Sequence, residues 1–355
     1  MWAALSSNLS RPFREHWLEE TVSTSGRRPF PLFAILGVVA VVAVIGVAVK
    51  LQQPSSRESA PVAEALSPEA AAKKATVTVQ HAQGTSVVPL NPQRVIVFDL
   101  AALDILQALG VEVVGVAGDQ FPLHLAPFAD AKYPRMGTLF EPDYEAIHAA
   151  RPDLIITGGR SSAKYASLAR IAPTVDVPMG GVHYIDTVVA NTQMLAHIFG
   201  KEEKARELVD GLRQSLAKLK ETTASRGKGL VVLVTGGRVS AYGPGSRFGV
   251  LHEDFGVPVA AEGLNASLHG EAIGSEFIRE KNPDWLFVID RDASMGQQGG
   301  AKQVLDNELV RQTTAWTKGQ VVYLDPLNAY LIGGGIQAVS RLRDQVAEAY
   351  SARAP

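Results

Sequence analysis

Glu145-Ala146-Ile147, then Pro152-Asp153-Leu154-Ile155-Ile156 and Arg160, returns far downstream as Glu276-Phe277-Ile278, Pro283-Asp284-Trp285-Leu286-Phe287-Val288-Ile289 and Arg291. The spacing is the same in both copies: eight residues from glutamate to aspartate and seven from aspartate to arginine. Each copy reads as a helix, a Pro-Asp turn and a buried strand, with an arginine just past the strand's carboxyl end. Open α/β sheets bind ligands outside the carboxyl ends of their strands. Two such units facing each other would bring two arginines into one cleft, an arrangement suited to an anion.

Working outward, the strand Val95-Ile96-Val97-Phe98 runs into a helix from Leu100 to Leu109 that stops at Gly110. A strand at 113–116 follows, and after the first repeat a helix is expected over 161–171. Residues 185–199 are apolar on more than one helical face (Val188, Val189, Met194, Leu195, Ile198, Phe199), as expected of a helix buried between two bodies. Beyond it, 201–226 reads as a charged amphipathic surface helix. Strands are expected at 230–234, 239–242, 257–260, 285–290 and 321–324, and Gly333-Gly334-Gly335 precedes a last helix. Alternating strands and helices predict an α/β fold of two lobes with mostly parallel sheets, joined by a long inter-lobe helix. The lobes are read as 76–184 and 200–355, with the connecting helix at 185–199.

The segment 1–75 differs in kind. Residues 32–49 carry no charge and, at 1.5 Å per residue, span about 27 Å, close to a bilayer core. Arg11, Arg14, Arg27 and Arg28 precede them. That predicts a cytoplasmic segment 1–28, a transmembrane or signal segment 29–50, and the bulk of the chain on the far side. Gly26-Arg27-Arg28-Pro29-Phe30 loosely matches a twin-arginine export signal. Residues 51–75, rich in Pro, Ser, Ala and Glu, read as a flexible tether. The net charge of −2 argues against nucleic acid as a partner. The chain has no cysteine, which excludes disulfides, thiolate chemistry and lipid attached to a cysteine.

Signatures of enzymes are missing: no phosphate-binding Gly-x4-Gly-Lys, no dinucleotide Gly-x-Gly-x-x-Gly after a strand, no His-Glu-x-x-His, no Gly-x-Ser-x-Gly. No catalytic residue is assigned and no intrinsic cofactor is expected. Arg160 and Arg291 end the repeated strands, and Arg247 sits in the loop Gly243-Pro-Gly-Ser-Arg-Phe-Gly249 after another strand. Guanidinium groups are permanent, planar charges suited to oxyanions and to stacking on rings; three would balance a trianion. His269 and Tyr330 lie in loops expected at the cleft edge, and imidazole and phenolate can ligate ferric iron. Each also reads as an ordinary hydrogen-bonding residue. Gly333–Gly335 opens a helix whose N-terminus could receive an anion, or is only a tight loop. Glu145 and Glu276 fall in first helical turns. There they favour the helix dipole, or form one acidic knob per lobe for a two-fold membrane partner, with Glu141 as a neighbouring alternative.

Residues 76–350 resemble a periplasmic ferric-siderophore-binding protein of the enterobactin- and petrobactin-binding group, a class III solute-binding protein that feeds an ABC importer. The resemblance rests on Val97-Phe-Asp-Leu-Ala-Ala-Leu-Asp104, Ile171-Ala-Pro-Thr174, Ser240-Ala-Tyr-Gly-Pro-Gly-Ser-Arg-Phe-Gly249, Ala266-Ser-Leu-His-Gly270, Phe287-Val-Ile-Asp-Arg291, Lys302-Gln-Val-Leu-Asp-Asn307 and Tyr323-Leu-Asp325 through Tyr330-Leu331. It implies that Arg160, Arg247 and Arg291 hold an anionic ferric, catecholate-type siderophore. It also implies that His269 and Tyr330 can ligate its iron(III), and that Glu145 and Glu276 meet a two-fold permease coupled to an ATPase. The implied location is the periplasm or cell envelope, with the N-terminal segment exporting or tethering the chain. Two features depart from the family: the hydrophobic segment stands where relatives commonly have a lipid-bearing cysteine, and Ala329 stands where an aromatic is expected beside Tyr330. A haem- or cobalamin-binding protein of the same fold is the first alternative, and a metal-dependent enzyme the second.

Overall fold

A computed structural model describes residues 75–352 apart from Leu268. The expected cytoplasmic, transmembrane and tether segments lie outside the described residues. Among the described residues no helix is long and apolar enough to cross a membrane.

The described chain opens with an antiparallel hairpin, β1 (Thr76–His81) and β2 (Gly84–Pro89). A fully parallel sheet of order β4-β3-β5-β6 follows, from β3 (Val95–Val97), β4 (Gly115–Val116), β5 (Leu154–Gly158) and β6 (Thr174–Val177). A second sheet has the order β11-β10-β7-β8-β9. Its strands are β7 (Gly229–Thr235), β8 (Arg238–Tyr242), β9 (Glu271–Ile273), β10 (Trp285–Asp290) and β11 (Val321–Tyr323). The helices used below are α1 (Leu100–Leu109), α2 (Tyr144–Ala150), α3 (Tyr184–Phe199), α4 (Glu202–Thr223), α5 (Ser275–Lys281), α6 (Arg291–Ser294) and α7 (Ile336–Ser351). In sequence, α3 stands between the two sheets.

Both repeated strands are buried on both faces, which is why they read as unbroken apolar runs. Side chains alternate across a strand. Leu154 and Ile156 therefore join the large core that both sheets share, while Ile155 joins the cluster on the opposite face of the first sheet. Trp285, Phe287 and Ile289 point into the same shared core, and Leu286 and Val288 into the outer cluster of the second sheet. Each such side chain contributes about 1.5–3 kcal/mol by leaving water. On α4 the buried residues Ala205, Val209, Leu212, Leu216 and Leu219 recur at helical spacing against α7 and α3.

The repeat has a structural cause. Each helix ends on a left-handed residue, Arg151 (φ 45°) and Asn282 (φ 41°). The aspartate after the proline then fastens the new strand to the entrance of its neighbour. Asp153 accepts from the Gln93 and Arg94 N–H groups at 3.0 and 2.7 Å, and its own N–H donates to the Arg94 carbonyl. Asp284 accepts from the Lys228 N–H at 2.8 Å, and its own N–H donates to the Lys228 carbonyl.

Three expectations need correction. The second sheet is mixed: β7, β10 and β11 are parallel, but β7-β8 and β8-β9 are antiparallel. Gly236 and Gly237 both take positive φ. They make the tight hairpin turn that returns the chain beside β7. The segment 257–260 is no strand; it forms one bridge, Val259 to Gly229. The helix expected over 161–171 is a 3-10 turn, Gly159–Lys164, and one α turn, Tyr165–Leu168.

Candidate functional site

The three arginines meet around one side chain. Tyr330 lies in a π-helical segment, Leu327–Ile332, a conformation frequent at functional sites. The guanidinium carbons of Arg247, Arg160 and Arg291 stand 4.1, 5.6 and 5.6 Å from its ring centre. Arg291 Nε donates to the Tyr330 hydroxyl at 2.9 Å and its Nη1 to Thr235 Oγ1 at 3.3 Å. Arg247 Nη2 donates to the Tyr330 carbonyl at 2.8 Å. Arg160 Nη1 and Nη2 donate to the Leu331 and Tyr330 carbonyls at 2.9 and 3.3 Å.

Each arginine is placed by its strand end. Arg160 leaves β5 through Gly158-Gly159, where Gly159 takes φ 49°. Arg291 opens α6, whose N-cap Asp290 accepts from the Ala293 N–H. Arg247 follows β8 and stacks over Phe248 at 5.3 Å. No ion pair among the described residues engages any of the three. Their donors rest instead on carbonyls and two hydroxyls, and their planes lie near a ring face.

The electrostatics follow from this crowding. Burial, then the adjacent charge of Arg247, pulls the Arg160 guanidinium below its ordinary pKa, since both disfavour the charged form. At Tyr330, burial works to raise the phenol's pKa. The hydrogen bond from Arg291 and the charges of Arg247 and Arg291 outweigh it, so the phenol lies below its ordinary value. That favours phenolate, the form that ligates iron(III).

Two recesses adjoin the cluster. One is narrow, about 10 Å³, and is lined by Asp99, Gly159, Arg160, Met179, Arg247 and Tyr330 among others. The other, of about 190 Å³, lies between the two sheets' loops, with Gln120, Thr138, Leu139, Phe140, Met295 and Leu331 on its walls. Phe140 is half exposed there. Positive charge beside apolar and aromatic walls suits a ligand with anionic oxygens and flat rings.

His269 is not brought to the cluster by any hydrogen bond or recess lining among the described residues. It is exposed on the turn Ser267–Gly270, where Ser267 Oγ donates to the Gly270 carbonyl. The turn packs close by: a Cβ on Gly270 (φ 68°) would lie 2.7 Å from the Ala241 oxygen and 2.8 Å from the Tyr242 ring, which edge-packs on Phe248. Glu145 and Glu276 are exposed in the first turns of α2 and α5. Glu141 is engaged by Lys164 at 2.7 Å.

The glycines before α7 do not offer an open anion site. Asp104, fully buried on α1, accepts from the Gln337 and Ala338 N–H groups at 2.8 and 3.0 Å, and its Oδ2 pairs with His124 Nε2 at 2.7 Å. A Cβ on Gly335 would collide with the Asp104 carboxyl, so glycine is required there. The protein's own carboxylate already caps that helix.

Sequence reading also missed Asp99. It lies at the carboxyl end of β3, inside the stretch Val97-Phe98-Asp99-Leu100, and the strand-end rule points to it. Burial pushes its carboxyl up to about 6, against the Ala102 N–H, the charge of Arg160 and the Ala101 N–H.

Residues 95–327 match the family model described as periplasmic binding protein. The petrobactin-binding protein YclQ of Bacillus subtilis is 36% identical over 88% of this chain and 97% of its own length. Its crystal structure superposes with a TM-score of 0.76, covering 78% of this chain and 99% of that one. The ferric-anguibactin-binding protein FatB of Vibrio anguillarum is 32% identical over 77% of this chain and 87% of its own. The periplasmic catecholate-siderophore binding protein VctP of Vibrio cholerae is 32% identical, with a TM-score of 0.72 over 77% of this chain and 99% of that one.

Proposed function

We propose that this chain, which belongs to the periplasmic binding protein family, is the substrate-binding component of an ABC-type iron importer and takes an anionic ferric siderophore into the recess between its two sheets. One observation carries the reading. Three guanidinium groups surround one tyrosine, and none is in a direct ion pair among the described residues; Asp99 acts on Arg160 only at longer range. Such a cluster keeps a net positive charge that an anion would neutralise, and a ferric catecholate supplies ring faces and several negative oxygens at once. Relatives named for petrobactin, anguibactin and catecholate siderophores support that class.

Within this reading the three arginines hold the complex and Tyr330 adds a phenolate where the chelator leaves iron(III) unsaturated. His269 would have to swing in from its exposed turn to do the same. The chain binds and delivers and carries out no reaction. It works outside the cytoplasm, exported or tethered through its N-terminal segment, beside a two-fold permease and its ATPase. Glu145 and Glu276, related by the repeat, are the charges offered to that permease; the ion pair with Lys164 makes Glu141 the poorer candidate.

Quenching of tryptophan fluorescence tests the ligand class. Ferric tris-catecholate should bind far more tightly than haem or cobalamin, and the reverse order would sink the reading. The docking role has its own test. Glu145→Lys with Glu276→Lys should leave binding by the isolated protein unchanged while iron uptake through the importer falls. Complementary surface charge governs orientation and encounter more than affinity. Uptake at the parental level in that double variant would reduce both residues to helix-end charges.

A further inference from the structure

Asp99 places a carboxylate beside the arginine cluster, in the narrow recess that adjoins the proposed ligand site. It lines the same recess as Arg160, Arg247 and Tyr330, and its charge is felt at Arg160. The structure makes room for it. The facing end of β5 is Gly158-Gly159, and a Cβ on Gly158 would lie 2.8 Å from the Asp99 Cγ. Its Oδ1 caps α1 by accepting from the Ala102 N–H at 2.9 Å. Capping alone does not call for a charge, since Asn, Ser and Thr serve as well. A charged cap also cancels part of the positive end of its helix. Both effects lower the positive potential that the recess offers.

We propose that Asp99 is the charge-selecting residue of the cleft: a fixed negative charge that penalises highly anionic ferric complexes and so narrows their advantage over less charged ones. This rests on the reading of the cleft as a ferric-siderophore site. The groups that bear on Asp99 come from every side. They are the Ala101 and Ala102 N–H groups on α1, Arg160 after β5, Asp176 on β6, and, across the recess, Arg247 and Tyr330. In its ionised form one carboxylate offsets one of the three guanidinium charges. A trianion feels that loss three times over, and a monoanion once.

The experiment uses the full chain and Asp99→Asn, which keeps the size and the cap and removes the charge, with Asp99→Ser as a second capping variant. Fluorescence titrations near pH 8, where Asp99 is ionised, compare two probes: a hexadentate ferric tris-catecholate, triply anionic, and a tetradentate ferric bis-catecholate, singly anionic. Either variant should tighten the first on the order of tenfold and the second about twofold, as expected for one partly screened charge. Equal changes for the two probes, or no change, in whichever variant folds would overturn the proposal and leave Asp99 a helix cap only. A parent chain that binds neither probe would overturn the cleft reading itself, and this inference with it. A parent that binds both, with an unaltered ratio in the variants, overturns this inference alone.

Discussion

The two copies of the repeat build the same joint and use its far end differently. In both, a short helix closes on a left-handed residue, a proline follows, and an aspartate fastens the new strand to its neighbour. Beyond the strand they part. The first copy ends in two glycines beside Asp99, and Arg160 reaches main-chain carbonyls. The second ends in Ile289-Asp290, where the aspartate caps a helix and Arg291 reaches a phenol. The scaffold sets where an arginine begins; the local loop sets what it holds. Tyr330 is approached from its carbonyl, its ring face and its hydroxyl.

The largest effects should come from the arginines. Arg160→Gln and Arg291→Gln should each weaken a ferric tris-catecholate by about 1.5–3 kcal/mol, the range for hydrogen bonds to charged groups. If titration finds only one of them sensitive, the two repeats do not serve one ligand. The joint itself comes next. Asp153→Ala removes acceptors for two N–H groups and Asp284→Ala for one. Denaturant melts should therefore show the first costing more, about 2 against about 1 kcal/mol. Equal costs would mean that the joints differ elsewhere.

A subtler contrast lies in the phenol. Because Arg291 and Arg247 favour its phenolate, Tyr330 should lose its proton at a lower pH than exposed tyrosine. That titration is read as the ultraviolet difference between the parent and Tyr330→Phe. Arg291→Gln should move the step upward, and Arg160→Gln, whose bonds go to carbonyls, should move it less. Tyr330→Phe should also remove the phenolate-to-iron absorption with a tetradentate ferric chelate. Persistence of that band would reject direct ligation.

The smallest effect concerns the left-handed residues. Glycine takes that conformation freely and asparagine at little cost, while arginine, as at Arg151, takes it at a larger one. Arg151→Gly should therefore stabilise the chain by about 0.5–1 kcal/mol and Asn282→Gly by less. Thermal melts showing the opposite order would place the strain in the second copy.

The joint was legible because it is local: helix end, proline, aspartate and apolar run all follow one another directly in the chain. The placement of Arg160 and Arg291 followed from it by the strand-end rule. Arg247 was legible only as a loop residue after a strand, yet it stands nearest the ring of Tyr330. The antiparallel half of the second sheet was signalled by Gly236-Gly237, a hairpin sign that the alternation of strands and helices overrode. The glycines at 333–335 left an anion loop and a plain tight loop both open, because nothing near them in sequence reveals that Asp104, on the first helix of the other sheet, fills the space. Asp99 was passed over because nothing next to it in sequence shows that its carboxyl is buried near Arg160, 61 residues downstream.

The pairing of Asp104 with α7 also bears on whether the molecule can be taken apart. The last helix follows the second sheet in the chain, but its N-terminal amides belong to a carboxylate on the first helix, with His124 locked onto the same group. A fragment cut off after β11 would keep a buried acid stripped of two of its donors, and a fragment that begins at β7 would have a helix with no cap. Neither half is therefore a separable module. Dissection at the boundary between the sheets should yield two insoluble pieces, while joining the old ends and reopening the chain at an exposed loop leaves that contact whole.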